Sequence, residues 1–422
     1  MNKTDLKRKK RFNRNLYPIY SSIGLDYMFY YGIKVLFLSQ VKGISDSQIV
    51  LATSFFSLFA IVTQVPLTIL IDKIGKRKGL ILGNFINAFS MFLVIICPNF
   101  GFFILEEFFS STATSIKSIT EASILDLSIP KVNKSGEFYT KLKRNGYSKY
   151  CYMYALSTLL AGFLYDLNPY IPVILCMGCC ILATALSYSF ADIKETVEDK
   201  GSMEYLEDLK KSFKFIFKSN RLRPLLVMLG LIWGLRNLFD TYQVILLKEI
   251  NISAGVVGLI LALFQLNRGP MSKFAGKLNT KFKNKTLTFM ALMLTFSFVL
   301  TGVASILNLN VNIILIANLI AGIITSGVEG IYQILNSRYL NNFSNSKILP
   351  KIYAANTIMN NLLRMIVAFI GTLVLEKFNI KYTMVIIGMI FTAIVYLLFR
   401  YMKPKVGLKP DKYKTEDIKL KV

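Results

Sequence analysis

Two long apolar segments are joined by a short basic loop, Thr68-Ile69-Leu70-Ile71-Asp72-Lys73-Ile74-Gly75-Lys76-Arg77-Lys78. Lys and Arg beside a membrane span resist translocation, so this basic run predicts that the loop lies in the cytoplasm. Gly75 permits a turn too tight for a residue with a Cβ atom. We expect Asp72 to accept hydrogen bonds from a neighbouring helix N-terminus and to pair with Arg77.

The same charge pattern runs along the whole chain of 422 residues. Of its 50 Lys and Arg residues, 41 fall in alternate gaps between apolar segments, at 1–14, 72–78, 127–149, 192–223, 273–285, 338–351 and 400–422. The intervening gaps are nearly bare of basic residues. This positive-inside pattern is typical of a polytopic membrane protein, and it predicts cytoplasmic termini after an even number of crossings.

Composition excludes several classes of protein. Hydrophobic residues make up 54% of the chain, and its apolar stretches repeatedly reach the roughly 20 residues that a helix needs to cross a bilayer. An ordinary soluble domain is therefore excluded. The net charge is +26, but the basic residues are dispersed over short segments, which favours attraction to lipid headgroups over nucleic-acid binding. The predicted location is the plasma membrane.

Twelve spans are predicted from the apolar runs, and we expect helices because backbone groups in a bilayer must be satisfied within the segment. The spans cover 16–39, 47–71, 79–97, 101–126, 147–165, 169–191, 223–246, 254–275, 286–306, 311–336, 352–375 and 381–401. The first follows a basic stretch as a signal peptide would, but its length, Asp26 and Lys34 indicate a span that is retained. The predicted fold is an all-α membrane protein with two pseudo-symmetric six-helix bundles.

The bundles are predicted at 1–191 and 223–402, with a basic cytoplasmic tail at 403–422. Between them, the linker at 192–222 carries apolar residues at helical spacing: Tyr205, Leu206, Leu209, Phe213, Ile216 and Phe217. This spacing favours an amphipathic helix on the cytoplasmic face, and the alternative is a solvated linker.

The two halves of the chain match at an offset of about 208 residues, as expected of an internal repeat. Glu121 falls on Glu329, and Pro66 has a near counterpart in Pro270. Gly24-Leu25-Asp26 has a shifted counterpart in Gly234-Leu235-Arg236. Together with the equal number of spans in each half, these matches favour a duplicated six-helix unit.

The loop after the second span resembles the signature loop of the major facilitator superfamily, a Gly-x-Leu-Ala-Asp-Arg-x-Gly-Arg-Arg pattern. Asp72, Gly75 and the basic run match this pattern, and Thr68 stands in place of the first Gly. After the eighth span, 276–285 looks like a degenerate second copy that lacks the Asp and the second Gly. The resemblance implies a twelve-helix transporter.

Two further segments, 117–126 and 162–166, look like the bacterial drug-efflux branch of that superfamily. The fifth span differs from the antiporter signature of this branch, since 147–165 supplies one Gly and no Pro. The resemblance also implies a cytoplasmic gate motif, in which Asp72 and Arg77 help to hold the outward-facing state. The motif consists of Asp72, Gly75, Lys76 and Arg77.

Ionisable residues inside the spans are functional candidates, because a charge near the bilayer centre costs at least about 2.5–3.5 kcal/mol. Asp26 lies about 15 Å into the first span, near mid-membrane. Arg236 and Arg364 come out at similar depths. We therefore expect these three residues to face one central cavity.

Two pairs in the spans, Lys117 with Glu121 and Arg236 with Asp240, are spaced i to i+4 and can meet on one helix face. One interpretation is that each pair neutralises its charges and so allows insertion. The other is that a carboxylate released from its basic partner binds a proton, because desolvation raises a carboxyl pKa whereas a nearby Arg or Lys lowers it. In a chain without histidine the candidates are Asp26, Glu121, Asp126 and Glu329.

Aromatic residues cluster in the first span and at the start of the fifth, as Tyr20, Tyr27, Tyr30, Tyr31, Tyr147, Tyr150, Tyr152 and Tyr154. They favour either a pathway for a lipophilic or cationic solute, with Tyr27 and Tyr30 as candidates, or an interfacial belt with ordinary packing. Glu106 and Glu107 lie about 8 Å from the outer end of the fourth span, where we expect water to reach them. They either guard the outer mouth or have no specific role.

Three cysteines, Cys176, Cys179 and Cys180, sit in an apolar helix and indicate packing rather than a metal site. We expect no cofactor. A channel would need a repeated filter, and an enzyme would need a nucleophile with a base or a metal cluster. Neither pattern is visible in the sequence.

The sequence thus predicts a monomeric secondary transporter that works by alternating access. No nucleotide-binding loop of the Gly-x-x-x-x-Gly-Lys-Ser/Thr type occurs, so an ion gradient is expected to supply the energy. The resemblance puts proton-coupled export of lipophilic or drug-like molecules first. The alternative is proton-coupled uptake or exchange of a small polar or anionic metabolite, which Arg236 and Arg364 would suit.

Overall fold

The computed structural model describes residues 3–129, 135–193, 207, 222–282, 285–307, 310–342 and 349–403. This part of the chain folds into α-helices, with one π-helical turn. In the first half of the chain the helices are α1 (Lys3–Gly24), α2 (Lys34–Leu36), α3 (Asp46–Ile74), α4 (Lys76–Ile96), α5 (Phe100–Leu127), α6 (Ser135–Leu167) and α7 (Tyr170–Ser189). In the second half they are α8 (Leu222–Glu249), α9 (Ala254–Phe282), α10 (Lys285–Ile306), α11 (Val311–Asn342), α12 (Leu349–Lys377) and α13 (Ile380–Met402).

The twelve predicted spans correspond to α1 with α2 for the first span and to α3–α13 for the others. Among the described residues, nine helices are long and apolar enough by composition to cross a bilayer: α3, α4 and α7–α13. The three other spans are α1 with α2, α5 and α6, in which charged and hydroxyl side chains are frequent. The all-α membrane fold is thus confirmed, and its least apolar spans all lie in the first half of the chain.

The first span is not the continuous helix that the hydropathy predicted. α1 ends at Gly24, and turns occupy 25–33 before α2 and the π-helical turn Phe37–Val41. Phe29 within the break has a φ of 65°, a left-handed conformation that is uncommon for a residue with a Cβ atom. Asp26 accepts a hydrogen bond from the Tyr27 N–H at 2.9 Å, which satisfies one of the backbone groups freed by the break.

The chain forms two compact units. Unit 1 comprises Met1–Ile44, Val62–Lys200 and Ser253–Leu266, and unit 2 comprises Ser45–Ile61, Gly201–Ile252 and Asn267–Val422. Each unit takes most of its residues from one half of the sequence and a short helical segment from the other. The division at 1–191, 192–222, 223–402 and 403–422 stays a prediction, because the amphipathic linker helix and the tail fall almost entirely outside the described residues.

The two units have different interiors. In unit 1, Tyr20 is fully buried against Phe190 of the segment after α7, with ring centroids 5.6 Å apart. Unit 1 also buries a second group of tyrosines, Tyr150 and Tyr154 of α6. The core of unit 2 centres on α8, whose Phe239 packs edge to face on Phe298 of α10 at 5.1 Å. The polar groups described below are held within these interiors.

Candidate functional site

The loop between α3 and α4 adopts the turn that its glycine predicts. Gly75 has a φ of 90° and a ψ of 151°, a conformation that strains residues with a Cβ atom. The expected pairing of Asp72 with Arg77 is wrong. Asp72 pairs with Lys76 one helical turn away, at 2.5 Å, and Arg77 donates to the backbone carbonyl of Tyr188 in the last turn of α7. A cation is favourable there because the carbonyls at a helix C-terminus carry partial negative charge.

In unit 1, Glu121 of α5 is held by neutral partners. The Tyr20 hydroxyl of α1 donates to Glu121 Oε1 at 2.9 Å. Asn84 of α4 in turn donates to the Tyr20 oxygen at 3.0 Å and to Ser187 Oγ of α7 at 2.9 Å. Four helices of unit 1 therefore converge on one carboxylate through a phenol and an amide.

The i to i+4 pairing expected for Glu121 does not form. Lys117 is buried on the same helix, yet within the described residues no ion pair of 4.0 Å or less joins it to Glu121. Lys117 and Lys143 still act on Glu121 electrostatically from a longer distance. Asp126, about one turn further along α5, is exposed.

Asp26 lies in the break of the first span beside the tyrosines of α6. Tyr150 donates its hydroxyl hydrogen to Asp26 Oδ2 at 3.1 Å. The Tyr150 ring stacks on Tyr154 at 5.3 Å and lies 5.6 Å from Tyr147. The two tyrosine groups singled out in the sequence thus meet inside unit 1, whereas Tyr152 points away and is exposed.

Tyr27 and Tyr30, the two tyrosines named as substrate candidates, are both buried. The Tyr27 hydroxyl contacts Asn87 Oδ1 at 2.9 Å, Ser90 Oγ at 3.1 Å and Ser110 Oγ at 2.9 Å. The Tyr30 hydroxyl has no hydrogen-bond partner among the described residues. Tyr27 is thus part of a hydroxyl-rich network, and Tyr30 is an unsatisfied donor.

The expectation that water reaches Glu106 and Glu107 is wrong for this conformation. Both side chains are buried, with 2% and 1% of their surface exposed. Lys34 of α2 pairs with Glu107 Oε1 at 2.7 Å, and Ser90 Oγ donates to Glu106 Oε1 at 2.8 Å. Two acidic residues near the beginning of α5 are therefore enclosed with a single ion-paired lysine.

Unit 2 contains a second polar centre, built from charged groups. Arg236 Nη2 of α8 contacts Asp240 Oδ2 at 2.6 Å and Glu329 Oε2 of α11 at 2.6 Å. Arg268 Nε of α9 contacts the same Glu329 oxygen at 2.7 Å. The predicted pairing of Arg236 with Asp240 is confirmed. The two arginines and two carboxylates sum to zero net charge, and we call them the arginine–carboxylate cluster.

The candidates predicted from the sequence do not include Arg268. The available signal was an arginine in the middle of an apolar span, the same signal that selected Arg236 and Arg364. Gly330 brings α11 to this residue, since a Cβ atom on Gly330 would lie 2.4 Å from the Arg268 carbonyl oxygen. The neighbouring Glu329 thereby reaches the Arg268 side chain.

Arg364 of α12 contacts an aromatic side chain of α3. Its guanidinium lies over the Phe56 ring of α3, 4.7 Å from the ring centroid, in a cation–π contact. A cavity shared by Asp26 with Arg236 and Arg364 stays a prediction.

An aromatic and amide group lies one turn before Arg236 in unit 2. Trp233 of α8 stacks on Tyr332 of α11 with ring centroids 5.6 Å apart and an interplanar angle of 21°. Asn360 of α12 donates to the Tyr332 hydroxyl oxygen at 3.1 Å. Asn336 follows Tyr332 by one turn on α11, and Asn356 precedes Asn360 by one turn on α12, so helical spacing puts each on the same helix face as that neighbour. The side-chain oxygens of Asn336, Asn356 and Asn360 are buried, and none has a donor among the described residues. This aromatic–amide group offers a stacking surface and hydrogen-bond acceptors without net charge.

Cys176 and Cys180 of α7 are buried, Cys179 is half-buried, and all three are free thiols. Within the described residues, no group of three or more His, Cys, Asp or Glu side chains could hold a metal ion. The polar centres of the described chain are therefore built from hydroxyl, amide, carboxylate and basic groups.

Solved structures share this fold. The nucleoside transporter NupG superposes with a TM-score of 0.69 at 12% identity, covering 97% of this chain and 100% of that chain. A D-xylose-proton symporter superposes with a TM-score of 0.67 at 12% identity, covering 96% of this chain and 98% of that chain. A POT family transporter in complex with 5-aminolevulinic acid superposes with a TM-score of 0.66 at 11% identity, covering 96% of each chain.

No curated protein sequence matches the chain. The family model of the Major Facilitator Superfamily matches residues 16–131 and 225–420, which together make up most of the chain. The sequence motif, the helical fold and this match agree, and the chain belongs to the Major Facilitator Superfamily.

Proposed function

We propose that this protein is a secondary transporter that couples the movement of a small, polar, uncharged solute to protons by alternating access. Membership of the superfamily makes the chain a membrane transporter rather than an enzyme. The aromatic–amide group carries the proposal about the solute. The contrast between Glu121 and Glu329 supports the proposal about protons.

The aromatic–amide group fits a solute that combines a flat or ring-shaped face with hydroxyl or N–H groups. The Trp233–Tyr332 stack supplies an aromatic surface, and aromatic faces pack well against rings. Three amide oxygens in the same group lack donors within the described residues, and donors on a solute would satisfy them. Buried acceptors of this kind discriminate strongly against analogues that cannot donate.

An uncharged solute is favoured over an anion because Arg236, one of the two guanidiniums expected to bind an anion, is already neutralised. Arg236 is held by both Asp240 and Glu329. An incoming carboxylate or phosphate would have to displace one of these partners from a buried ion pair, which is costly. The structural neighbours include a nucleoside transporter and a D-xylose-proton symporter, and their named solutes are polar and largely uncharged.

Glu121 is the best candidate for the coupling proton. A proton carrier has to lose and regain its charge during the cycle, which is easier when no strong cation locks it. The closest partner of Glu121 is a phenol, whereas Glu329 lies within 2.7 Å of two guanidiniums. Asp26, which accepts from the Tyr150 hydroxyl and the Tyr27 N–H, is the second candidate.

A second candidate function is proton-linked export of a lipophilic cation. The observation that favours it is the position of Asp26 next to the stacked rings of Tyr150 and Tyr154 in unit 1. A carboxylate beside aromatic faces suits a cation through charge and cation–π contact.

Transport in proteoliposomes tests these proposals. Purified protein is given a proton gradient and a panel of labelled nucleosides, sugars, organic anions and lipophilic cations. We expect gradient-driven accumulation of an uncharged polar solute. We expect Glu121→Gln to lose accumulation but to keep solute exchange across the membrane without a gradient. Accumulation by Glu121→Gln equal to that of the wild type would remove the proposed coupling role.

The solute site is tested separately with Trp233→Ala and Asn360→Ala. Loss of one hydrogen bond worth about 0.5–1.5 kcal/mol weakens affinity about two- to tenfold. We therefore expect a higher apparent KM with both variants. An unchanged KM for the transported solute, or transport of lipophilic cations alone, would contradict the aromatic–amide assignment and favour the second candidate.

A further inference from the structure

A second buried acidic site lies near the beginning of α5, away from Glu121. Glu106 and Glu107 are adjacent in sequence and both are almost fully buried. They lie at the end of α5 that the charge pattern places on the non-cytoplasmic side. Lys34 Nζ contacts Glu107 Oε1 at 2.7 Å and lies 5.4 Å from the Phe103 ring centroid.

The charges of this site do not balance. Two carboxylates face one lysine, and that lysine is bonded to Glu107. The other titratable groups that act on the site are the phenols of Tyr27 and Tyr30 and the thiol of Cys97, all of which are neutral in their ordinary state. Within the described residues, a fully ionised site would therefore hold one uncompensated buried negative charge, which is expensive in a low-dielectric interior.

The contacts of Glu106 suit a group with a proton of its own. Its Oε1 atom accepts one hydrogen bond from Ser90 Oγ, and no ion pair to it is found among the described residues. The Ser90 hydroxyl also lies 3.1 Å from the Tyr27 hydroxyl, so a chain of neutral hydroxyl groups leads to Glu106.

Tyr30 adds an independent observation. Its side chain is 2% exposed, and its hydroxyl has no hydrogen-bond partner within the described chain. The phenol interacts electrostatically with both Glu106 and Glu107. A buried hydroxyl that interacts with two carboxylates but has no hydrogen bond leaves unused hydrogen-bonding capacity at the site.

We propose that Glu106, with Glu107, Lys34 and Tyr30, forms a second proton-binding site of this transporter, distinct from Glu121. A hydronium ion of the aqueous phase gives a proton to the Glu106 carboxylate: one O–H bond of the hydronium breaks, an O–H bond forms on the carboxylate, and water is released. The site is then neutral, with one acid, one carboxylate and one ammonium group. A metal ion fits less well, because Lys34 already supplies the cation and the described residues contain no cluster of three metal-ligating side chains.

Infrared difference spectroscopy of the protein in lipid nanodiscs tests this proposal, because it separates protonated carboxyl groups from carboxylates. All variants carry Glu121→Gln, so the result does not depend on the proposed coupling residue or on any solute. Spectra are recorded from acidic to alkaline pH. We expect a protonated-carboxyl signal at neutral pH that is lost in Glu106→Gln and kept in the exposed control Glu376→Gln.

Two more variants keep the test decisive if Glu106→Gln does not fold. Glu107→Gln leaves Lys34 to neutralise Glu106, so the signal should also be lost. Lys34→Gln removes the ammonium group of the site, so the signal should double. An unchanged signal in Glu106→Gln or in Glu107→Gln would overturn the proposal, as would a signal that sodium ions abolish at constant pH.

Discussion

Removal of the Glu329 carboxylate should destabilise unit 2 severely, and a second, compensating change should restore part of the loss. Glu329 is 5% exposed and binds two guanidiniums through one oxygen, at 2.6 and 2.7 Å. With an effective dielectric constant of about 20, each contact has a gross attraction of about 6 kcal/mol, much of which offsets desolvation. Breaking a buried pair by removing one partner costs about 3–5 kcal/mol.

The expected order of stability among the variants follows from the buried charge that each substitution leaves without a partner. Glu329→Gln leaves two buried arginines with Asp240 as their only carboxylate in the cluster, and we expect a cost of about 3–5 kcal/mol. In Glu329→Gln/Arg268→Gln, Arg236 and Asp240 remain as a neutral pair. The double variant should therefore be more stable than additivity predicts, by an interaction energy of about 0.5–3 kcal/mol. Asp240→Asn, at a side chain that is 42% exposed, should cost less than Glu329→Gln.

Trp233 provides the assay, because it is the only tryptophan of the chain and lies one helical turn before Arg236. Its fluorescence is followed during thermal and denaturant unfolding of the purified protein in detergent. Three results would refute the reasoning: a cost below about 1 kcal/mol for Glu329→Gln, strict additivity in the double variant, or a larger loss with Asp240→Asn.

Three further changes test single contacts. Gly330→Ala places a methyl group 2.4 Å from a backbone carbonyl of α9 and should lower stability by about 1–3 kcal/mol. The control Gly276→Ala lies in open space on an exposed helix face and should be neutral or stabilising in the same melting assay. Gly75→Ala should lower stability by about 1–2 kcal/mol because of its φ of 90°, and a loss no larger than with Gly276→Ala would contradict this. Arg77→Met removes a charged hydrogen bond to the end of α7 and should lower stability by about 1.5–3 kcal/mol. Lys76→Met removes a partly exposed ion pair and should lower it by about 0.2–1 kcal/mol. Equal losses in the two variants would argue against the bond to α7.

The fold could be predicted because the physical constraints of a membrane protein restrict which residue types occur at particular positions. The length of the apolar segments predicts where the membrane-spanning helices lie. The basic residues at alternate gaps predict the orientation of the loops, which stays a prediction. The turn at Gly75 could be predicted for the same reason, since few conformations connect two helices so tightly. The break at 25–33 could not, because a hydropathy window measures side-chain transfer and is blind to backbone dihedral angles.

The site was predicted less well because its contacts join helices that are far apart in sequence. Spacing along α8 predicts that Arg236 meets Asp240, and this contact forms. The same spacing rule fails for Lys117 and Glu121, because Tyr20 from another helix bonds to the Glu121 carboxylate. Arg268 reaches Glu329 only because Gly330 allows α9 and α11 to approach, and no local pattern encodes that approach.

The two halves show how a repeated position can diverge in chemistry. Glu121 and Glu329 lie 208 residues apart, the offset at which the sequence predicts an internal repeat, yet a phenol binds the first and two guanidiniums bind the second. A carboxylate bonded to a phenol can exchange a proton without breaking a buried ion pair, whereas one between two arginines would have to give up both ionic contacts. If Tyr20 and Arg236 determine these roles, replacing the partner of a carboxylate should affect transport more than replacing one acidic residue by the other. A Tyr20→Arg variant should then lock Glu121 as a carboxylate and abolish gradient-driven accumulation, while Glu121→Asp should retain it.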